Sequence, residues 1–146
     1  MTARIEESVE IKCPVDKVFI YTTDAKSWPK WHPVMLEAEQ TSPGQVAIGT
    51  TFKGINRMMG RKMEWTAEAT EYEPNRKWGK DITSGGTVLE EHLIFDPIEG
   101  GTKFTIIYNV RVGGSMKAFS RMVVNSTRNE TKESLKNVKR ILETGI

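Results

Sequence analysis

The run Lys103-Phe-Thr-Ile-Ile-Tyr-Asn-Val-Arg-Val112, the pair Gly113-Gly114 and the run Ser115-Met-Lys-Ala-Phe-Ser-Arg-Met-Val-Val124 together decide the fold. The apolar period changes at the two glycines. Before them Phe104, Ile106, Tyr108 and Val110 alternate with polar neighbours or with the opposite face, as in a strand buried on one side. After them Met116, Phe119, Val123, Leu135, Val138 and Leu142 recur at helical offsets, although Ser126, Thr127 and Glu130 interrupt the stripe. No proline breaks the chain up to Thr144, and Ser115 is a suitable N-cap. The spacing predicts a helix over 115–144, roughly 43 Å long at about 1.5 Å per residue. Such a helix finds cover only by lying across a sheet.

The sheet is read upstream. Strands are expected over 34–40, 50–57, 61–72, 77–83, 87–95 and 103–112, with turn signals at Ser42-Pro43-Gly44, Met59-Gly60, Glu73-Pro74-Asn75, Ser84-Gly85-Gly86 and Gly100-Gly101. Short loops between consecutive strands imply an antiparallel meander. A seventh strand, 4–12, places Ile5, Val9 and Ile11 on one phase, where Glu7 also falls. Between this strand and the meander, Pro14 opens a short helix carrying Val15, Val18 and Phe19 at helical spacing, and Asp24 and Ser27 cap a second turn around Trp28-Pro-Lys-Trp31. The fold class is therefore α+β: strand, two short helices, six strands and one long helix, forming one domain over 1–146. A β-bulge would exchange the inward and outward faces of a strand, and the long strand 61–72 is the place most exposed to that exchange.

Composition excludes several activities. The 146 residues are 38% hydrophobic and 27% charged, and 21 Lys and Arg against 19 Asp and Glu leave a net charge of +2, which gives no electrostatic footprint for nucleic acid. The single cysteine, Cys13, rules out an internal disulfide and a thiolate zinc cage. It is expected to be a small buried residue rather than a nucleophile. The two histidines, His32 and His92, form no HExxH pair, and no phosphate-binding or nucleophile-elbow motif occurs, so no metal or cofactor is expected. No apolar run spans a bilayer and Met1-Thr-Ala-Arg-Ile-Glu-Glu has no secretory h-region, so a cytoplasmic protein is expected, monomeric or homodimeric.

Four segments carry a family resemblance. Ile11-Lys-Cys-Pro-Val-Asp-Lys-Val-Phe19, Asp24-Ala-Lys-Ser-Trp-Pro-Lys-Trp31, Thr70-Glu-Tyr-Glu-Pro-Asn-Arg76 and Phe95-Asp-Pro-Ile-Glu-Gly-Gly-Thr102, followed by a closing helix through Leu135 and Leu142, resemble in order the START-like (SRPBCC, Bet v 1-like) superfamily. The closer resemblance is to its polyketide cyclase/dehydrase-like branch. The resemblance covers essentially the whole chain and implies a helix-grip fold, a curved seven-stranded antiparallel sheet wrapped on the C-terminal helix. It also implies an apolar small molecule, lipid or polyketide-like, held between sheet and helix. Such motifs describe a scaffold rather than a reaction.

On the strand phases, Met63, Trp65, Ala67 and Ala69 share one face, as do Trp78 and Ile82, and Leu89, Glu91, Leu93 and Phe95. The expected ligand-lining set is Trp31, Met63, Trp65, Ala67, Trp78, Leu93, Ile106, Tyr108, Phe119, Met122 and Val123, with Met116 beside them. A functional pocket of this kind requires about 300–1,000 Å³. The competing reading is a filled core, with Trp31 a packing anchor for its helix rather than part of a pocket mouth. Glu91 and Glu7 point inward, and Glu91 is the candidate general acid or base should the chain be a cyclase or dehydratase-like enzyme. His92 belongs to the outer face as a satisfied histidine, with Asn109 and Arg111, and His32 lies near the expected mouth. The basic hairpin Arg57-Met-Met-Gly-Arg-Lys62 reads as a solvated turn or as a surface for a membrane or partner. A protein-interaction module resembling chaperone-activator domains is the third reading.

Overall fold

In the computed structural model, which describes residues 2–58 and 60–145, the chain forms β1 (Thr2–Ile11), α1 (Val15–Thr23), a 3-10 turn at Ala25–Ser27, α2 (Trp28–Trp31), β2 (Met35–Gln40), β3 (Thr51–Met58), β4 (Arg61–Glu73), β5 (Lys77–Ser84), β6 (Thr87–Ile98) and β7 (Gly101–Arg111). A 3-10 segment at Gly114–Phe119 leads into α3 (Ser120–Thr144). The seven strands make one antiparallel sheet in the order β1-β7-β6-β5-β4-β3-β2. The meander β2 to β7 thus carries the first strand on its far edge, with Thr2 opposite Arg111 and Ile11 opposite Thr102.

This is the helix-grip α+β architecture that the sequence predicted. The strand ends move by one to three residues. The long helix is the substantive correction. The turn after Gly113-Gly114 winds as 3-10 before α3 begins at Ser120, so α3 has 25 residues rather than reaching back to Ser115, and Ser115 is not its cap. The reason is a close backbone approach. Gly86 and Gly114 both hold positive φ, and a Cβ at Gly113 or Gly114 would lie 2.4 and 2.2 Å from the carbonyl oxygens of Gly86 and Gly85. The β5–β6 hairpin therefore abuts the chain where a helix would otherwise start, and only glycine fits there.

The C-terminal half of α3 is held to the sheet and to α2. Lys139 Nζ donates to Glu10 O at 2.7 Å, Glu143 accepts from Lys12 N–H at 2.8 Å, and Asn137 Nδ2 donates to Trp31 O at 3.0 Å. Its buried stripe, Val123, Val124, Thr127, Thr131, Ser134, Leu135 and Val138, faces the sheet. The long strand β4 does contain a bulge, between Ala69 and Glu71. Trp65, Ala67 and Ala69 face the core before it, and Tyr72 takes the inner phase after it, leaving Glu71 on the outer face.

Candidate functional site

Between the inner face of β3–β7 and the N-terminal half of α3 lies a recess of about 100 Å³. Its walls are mainly indole and thioether. Trp28, Trp31 and Trp65 face Met35, Met58, Met63 and Met116 across it, with Ile82, Leu89 and Val123 completing the apolar lining. Each of the three indole N–H groups donates within the protein: Trp28 to Thr22 O at 2.8 Å, Trp31 to Ser27 Oγ at 3.1 Å, and Trp65 to Asn56 Oδ1 at 3.0 Å. No indole N–H of the three is thus left for a ligand to satisfy, and the rings contribute apolar surface. Trp65 occupies its position because Gly54 stands opposite it on β3, where a Cβ would come within 2.3 Å of the indole ring. Thr127 and Thr131 donate their hydroxyls back to the helix carbonyls of Val123 and Thr127, at 2.9 and 2.7 Å, and so present no unpaired donor.

The floor is charged. Cross-strand register places Lys80 of β5 opposite Glu91 of β6, and Glu91 opposite Tyr108 of β7. Lys80 Nζ donates to Glu91 Oε1, and Tyr108 OH donates to Glu91 Oε2 at 2.6 Å. The Lys80 and Glu91 side chains are 7% and 5% exposed. The ammonium also sits 4.3 Å from the Trp28 ring centroid and 4.9 Å from that of Trp78, both cation–π distances. Burial, and after it the Glu91 charge, pushes the Tyr108 phenol well above its ordinary value. A sealed ion pair of this kind repays its desolvation only where its remaining hydrogen bonds are also made, and here Tyr108 and the two indoles supply the further contacts.

Two titratable groups on the recess walls lack partners. His32 follows α2, and its Nδ1 is shut off from solvent with no hydrogen-bond partner. Burial holds the imidazole down at about 4, with Glu91 opposing and Lys80 assisting, so it is neutral at physiological pH. Glu130 of α3 makes no side-chain hydrogen bond or ion pair among the described residues, and burial raises its carboxyl to about 7. It stands close enough to Tyr108 to act on its charge.

The sequence-predicted residues divide. Trp31, Met63, Trp65, Tyr108, Val123 and Glu91 line the recess. Trp78, Leu93, Ile106 and Ala67 are buried but lie in the packed core away from it. Phe119 and Met122, expected inward, are 47% and 49% exposed, because the 3-10 turn rotates Phe119 outward and Val123 takes the inward position beside Met122. Met58, expected at a solvated turn, turns into the recess, and Met59 lies outside the described residues. The recess is also smaller than the expected 300–1,000 Å³ range. Trp28 lies 5.0, 6.3 and 6.1 Å from the rings of Phe52, Trp65 and Trp78 and fills much of the space. Glu7 is half-buried on β1. Cys13 is buried, and its thiol is pushed up chiefly by that burial, which suits a structural residue.

Sequence reasoning placed His32 near the expected mouth, where it does line the recess, but missed Lys80 and Glu130 as members of the site. Lys80 had a signal in the alternation itself, since it stands between Trp78 and Ile82 on their phase. Glu130 interrupts an otherwise apolar helical stripe, a weaker form of the same signal.

Comparisons with known proteins add the following. The family described as polyketide cyclase/dehydrase and lipid transport matches residues 2–143. No curated protein matches the sequence significantly. Among solved structures, TTHA0849 from Thermus thermophilus is similar with a TM-score of 0.81 at 14% identity, covering 96% of this chain and 97% of that one. Zhui aromatase/cyclase from Streptomyces sp. R1128 is similar with a TM-score of 0.75 at 14% identity, over 99% and 98%. Ara h 8.0201 is similar with a TM-score of 0.66 at 15% identity, over 94% and 98%. At these identities the likeness is one of fold. Among the described residues no helix is long and apolar enough to cross a membrane.

Proposed function

The chain belongs to the polyketide cyclase/dehydrase and lipid transport family, and on that premise we propose that it binds a compact, largely apolar small molecule in the recess between sheet and α3. The observation that carries this reading is the pairing of an indole and methionine wall with a buried polar floor, Lys80–Glu91–Tyr108. Apolar contact supplies affinity at about 25 cal/mol per Å² before association costs, and a few fixed polar groups orient the ligand. Methionines on several sides allow the wall to adjust to an irregular shape. At about 100 Å³ the recess suits a small ligand, or one that displaces a methionine on entering.

A second reading, proton-transfer chemistry of the cyclase or dehydratase kind, is favoured by one specific feature. Glu130 is raised to about 7, so the recess offers a carboxyl able to give up and take back a proton near neutral pH, whereas burial of His32 to about 4 leaves it a weak base. The paired Glu91, by contrast, is committed to Lys80 and Tyr108.

The test is native mass spectrometry of the protein purified gently from its own cells, repeated on Trp65→Ala. A stoichiometric small-molecule adduct on the wild type, lost or reduced about tenfold in the variant, is expected for burial of an indole contact. An adduct equally retained by Trp65→Ala places the ligand elsewhere and removes the recess from consideration. Turnover of that ligand, abolished in Glu130→Gln while the adduct persists, would select the enzymatic reading.

A further inference from the structure

Charge is distributed unevenly along the chain, and the fold gathers the uneven part at one end. The spans 54–63 and 111–127 hold Arg57, Arg61, Lys62, Arg111, Lys117 and Arg121 and no carboxylate, and the span 82–89 carries no charge. These are six of 21 cations and none of 19 carboxylates, so the rest of the chain, with 15 against 19, has a net charge of −4. The β3–β4 hairpin, the β5–β6 hairpin and the 3-10 segment meet at this end. Gly85 and Gly86 abut Gly113 and Gly114, and a Cβ on Gly85 would lie 3.6 Å from Met63 Cε. Met58, Met63, Ser84 and Met116 border the recess together. All six cations are exposed, and among the described residues none of them makes an ion pair. Arg57 and Lys62 stand opposite each other across β3 and β4, an unfavourable like-charge pairing that an overlying anion would relieve. Among these cations Phe119 and Met122, three residues apart, are left 47% and 49% exposed. Large apolar side chains grouped in this way on a surface mark a contact site.

A partner for this end must offer dense negative charge with an apolar layer just beneath it. An anionic phospholipid surface offers both, headgroup charge for the cations and acyl chains about 5–10 Å below for Phe119 and Met122. A nucleic acid backbone answers the cations and gives the two apolar side chains nothing to bury against. The cations also come from separate segments, the β3–β4 hairpin, the end of β7 and the start of α3, with no fixed repeat. That arrangement suits a fluid surface, which needs no register. We propose that this end of the molecule docks on an anionic phospholipid membrane, with Phe119 and Met122 inserted among the headgroups and Arg57, Arg61, Lys62 and Lys117 paired with lipid anions around them. The inference goes beyond the binding reading above and stands whether or not the recess is occupied.

The test is co-sedimentation of the full chain with vesicles of phosphatidylcholine alone and with vesicles containing about 30% phosphatidylserine. The wild type is expected to partition about tenfold more strongly onto the anionic vesicles and to leave them in about 0.5 M salt. Phe119→Ser with Met122→Ser, and separately Arg61→Glu with Lys62→Glu, should each lower that partitioning about tenfold. Equal partitioning onto both vesicle types, or onto neither, overturns the inference. Anion-dependent binding that survives loss of Phe119 and Met122 marks a purely electrostatic surface, of the kind a nucleic acid or an acidic protein would use, and overturns the membrane assignment. A further readout needs only the wild type. A spin-labelled lipid in anionic bicelles should broaden the amides of Arg57, Arg61, Lys117 and Arg121 and spare those of Arg76 and Gly100, in turns at the opposite ends of the strands. The reverse pattern overturns the inference, which therefore stays falsifiable if a variant fails to fold.

Discussion

Glu90 and Glu91 are neighbours in sequence and opposites in environment, because successive residues of a strand face opposite sides of the sheet. Glu91 looks inward to Lys80 and Tyr108, in a row whose ion-paired side chains are 7% and 5% exposed. Glu90 looks outward, where its side chain is 51% exposed and accepts from Asn109 at 2.7 Å and meets His92 Nε2 at 3.1 Å. His92 in turn meets Glu71, which the β4 bulge has delivered to the same face, and Lys77 joins at 3.4 Å. Each face thus carries a cross-strand polar row built around carboxylates and a cationic partner. The two histidines show the consequence. Burial pulls His32 down to about 4, whereas at His92 the opposing effect of burial is overcome by hydrogen bonds to Glu71 and Glu90 and the titration moves up. Position on the pleat, not residue type, decides whether such a row is a high-energy device or an ordinary solvated network.

Breaking the inner row should be the most damaging change. Lys80→Met strands Glu91 without its counter-ion and is expected to cost about 3–5 kcal/mol in urea unfolding. Replacing the row together, with Lys80→Met, Glu91→Leu and Tyr108→Phe, should restore most of that loss, since an apolar set of similar volume leaves nothing unpaired. A cost below about 1 kcal/mol for Lys80→Met would mean that the inner row is as wet as the outer one, and the contrast would fail.

The recess walls should show up next, in the pH dependence of stability. Glu130 has a folded-state value of about 7, above its ordinary 4.5, so the folded protein binds that proton more tightly. Its burial is harmless below about 4.5 and destabilises increasingly as the pH rises through about 7. Glu130→Gln should therefore leave stability at about pH 4 unchanged and raise it at about pH 9 by about 1–2 kcal/mol, allowing for the group's partial exposure. His32 works on the acid side: with its folded value lowered to about 4, stability is lost as the pH falls from about 6.5 toward 4. Urea midpoints at about pH 4, 6.5 and 9 for wild type and Glu130→Gln separate the two slopes, and parallel profiles would show that Glu130 is solvated.

The outer row should give the smallest effect. His92 is raised in the fold, so its stabilisation is complete below its ordinary value near 6.5 and vanishes as the pH climbs through the folded value. His92→Gln is expected to cost about 0.5 kcal/mol at about pH 5.5, nothing at about pH 9, and little at either pH in roughly 1 M salt. A loss matching that of Lys80→Met would overturn the distinction between the faces.

Much of this organisation is legible in the chain itself. The inward phase of Trp65, Glu91 and Tyr108 follows from alternation alone, the outward phase of His92 and Asn109 likewise, and the bulge falls in the strand where a slip was expected. The inner row itself is half legible: Glu91 stands out as a carboxylate on an apolar phase, but its meaning changes once Lys80 stands opposite it. That pairing is a matter of register, which depends on the length and geometry of the Ser84–Thr87 turn rather than on either residue. Phe119 and Met122 depart from expectation for a related reason. Their helical spacing is correct, yet Gly85 and Gly86 abut Gly113 and Gly114 from another part of the chain and delay the helix by more than a turn.

What the amino-acid sequence determined by itself, then, is the order of elements, the antiparallel meander, and the face on which most side chains lie. Those features arise from local periods and turn chemistry, which act over a few residues and need no distant partner. Only the tertiary structure decided how much space remains between sheet and helix, that Lys80 neutralises Glu91, and that His32 Nδ1 is sealed without a partner. These depend on the contact of side chains from segments far apart in the chain, Trp28 against Trp65 and Trp78 above all, and close packing turns small differences in such contacts into the presence or absence of a site.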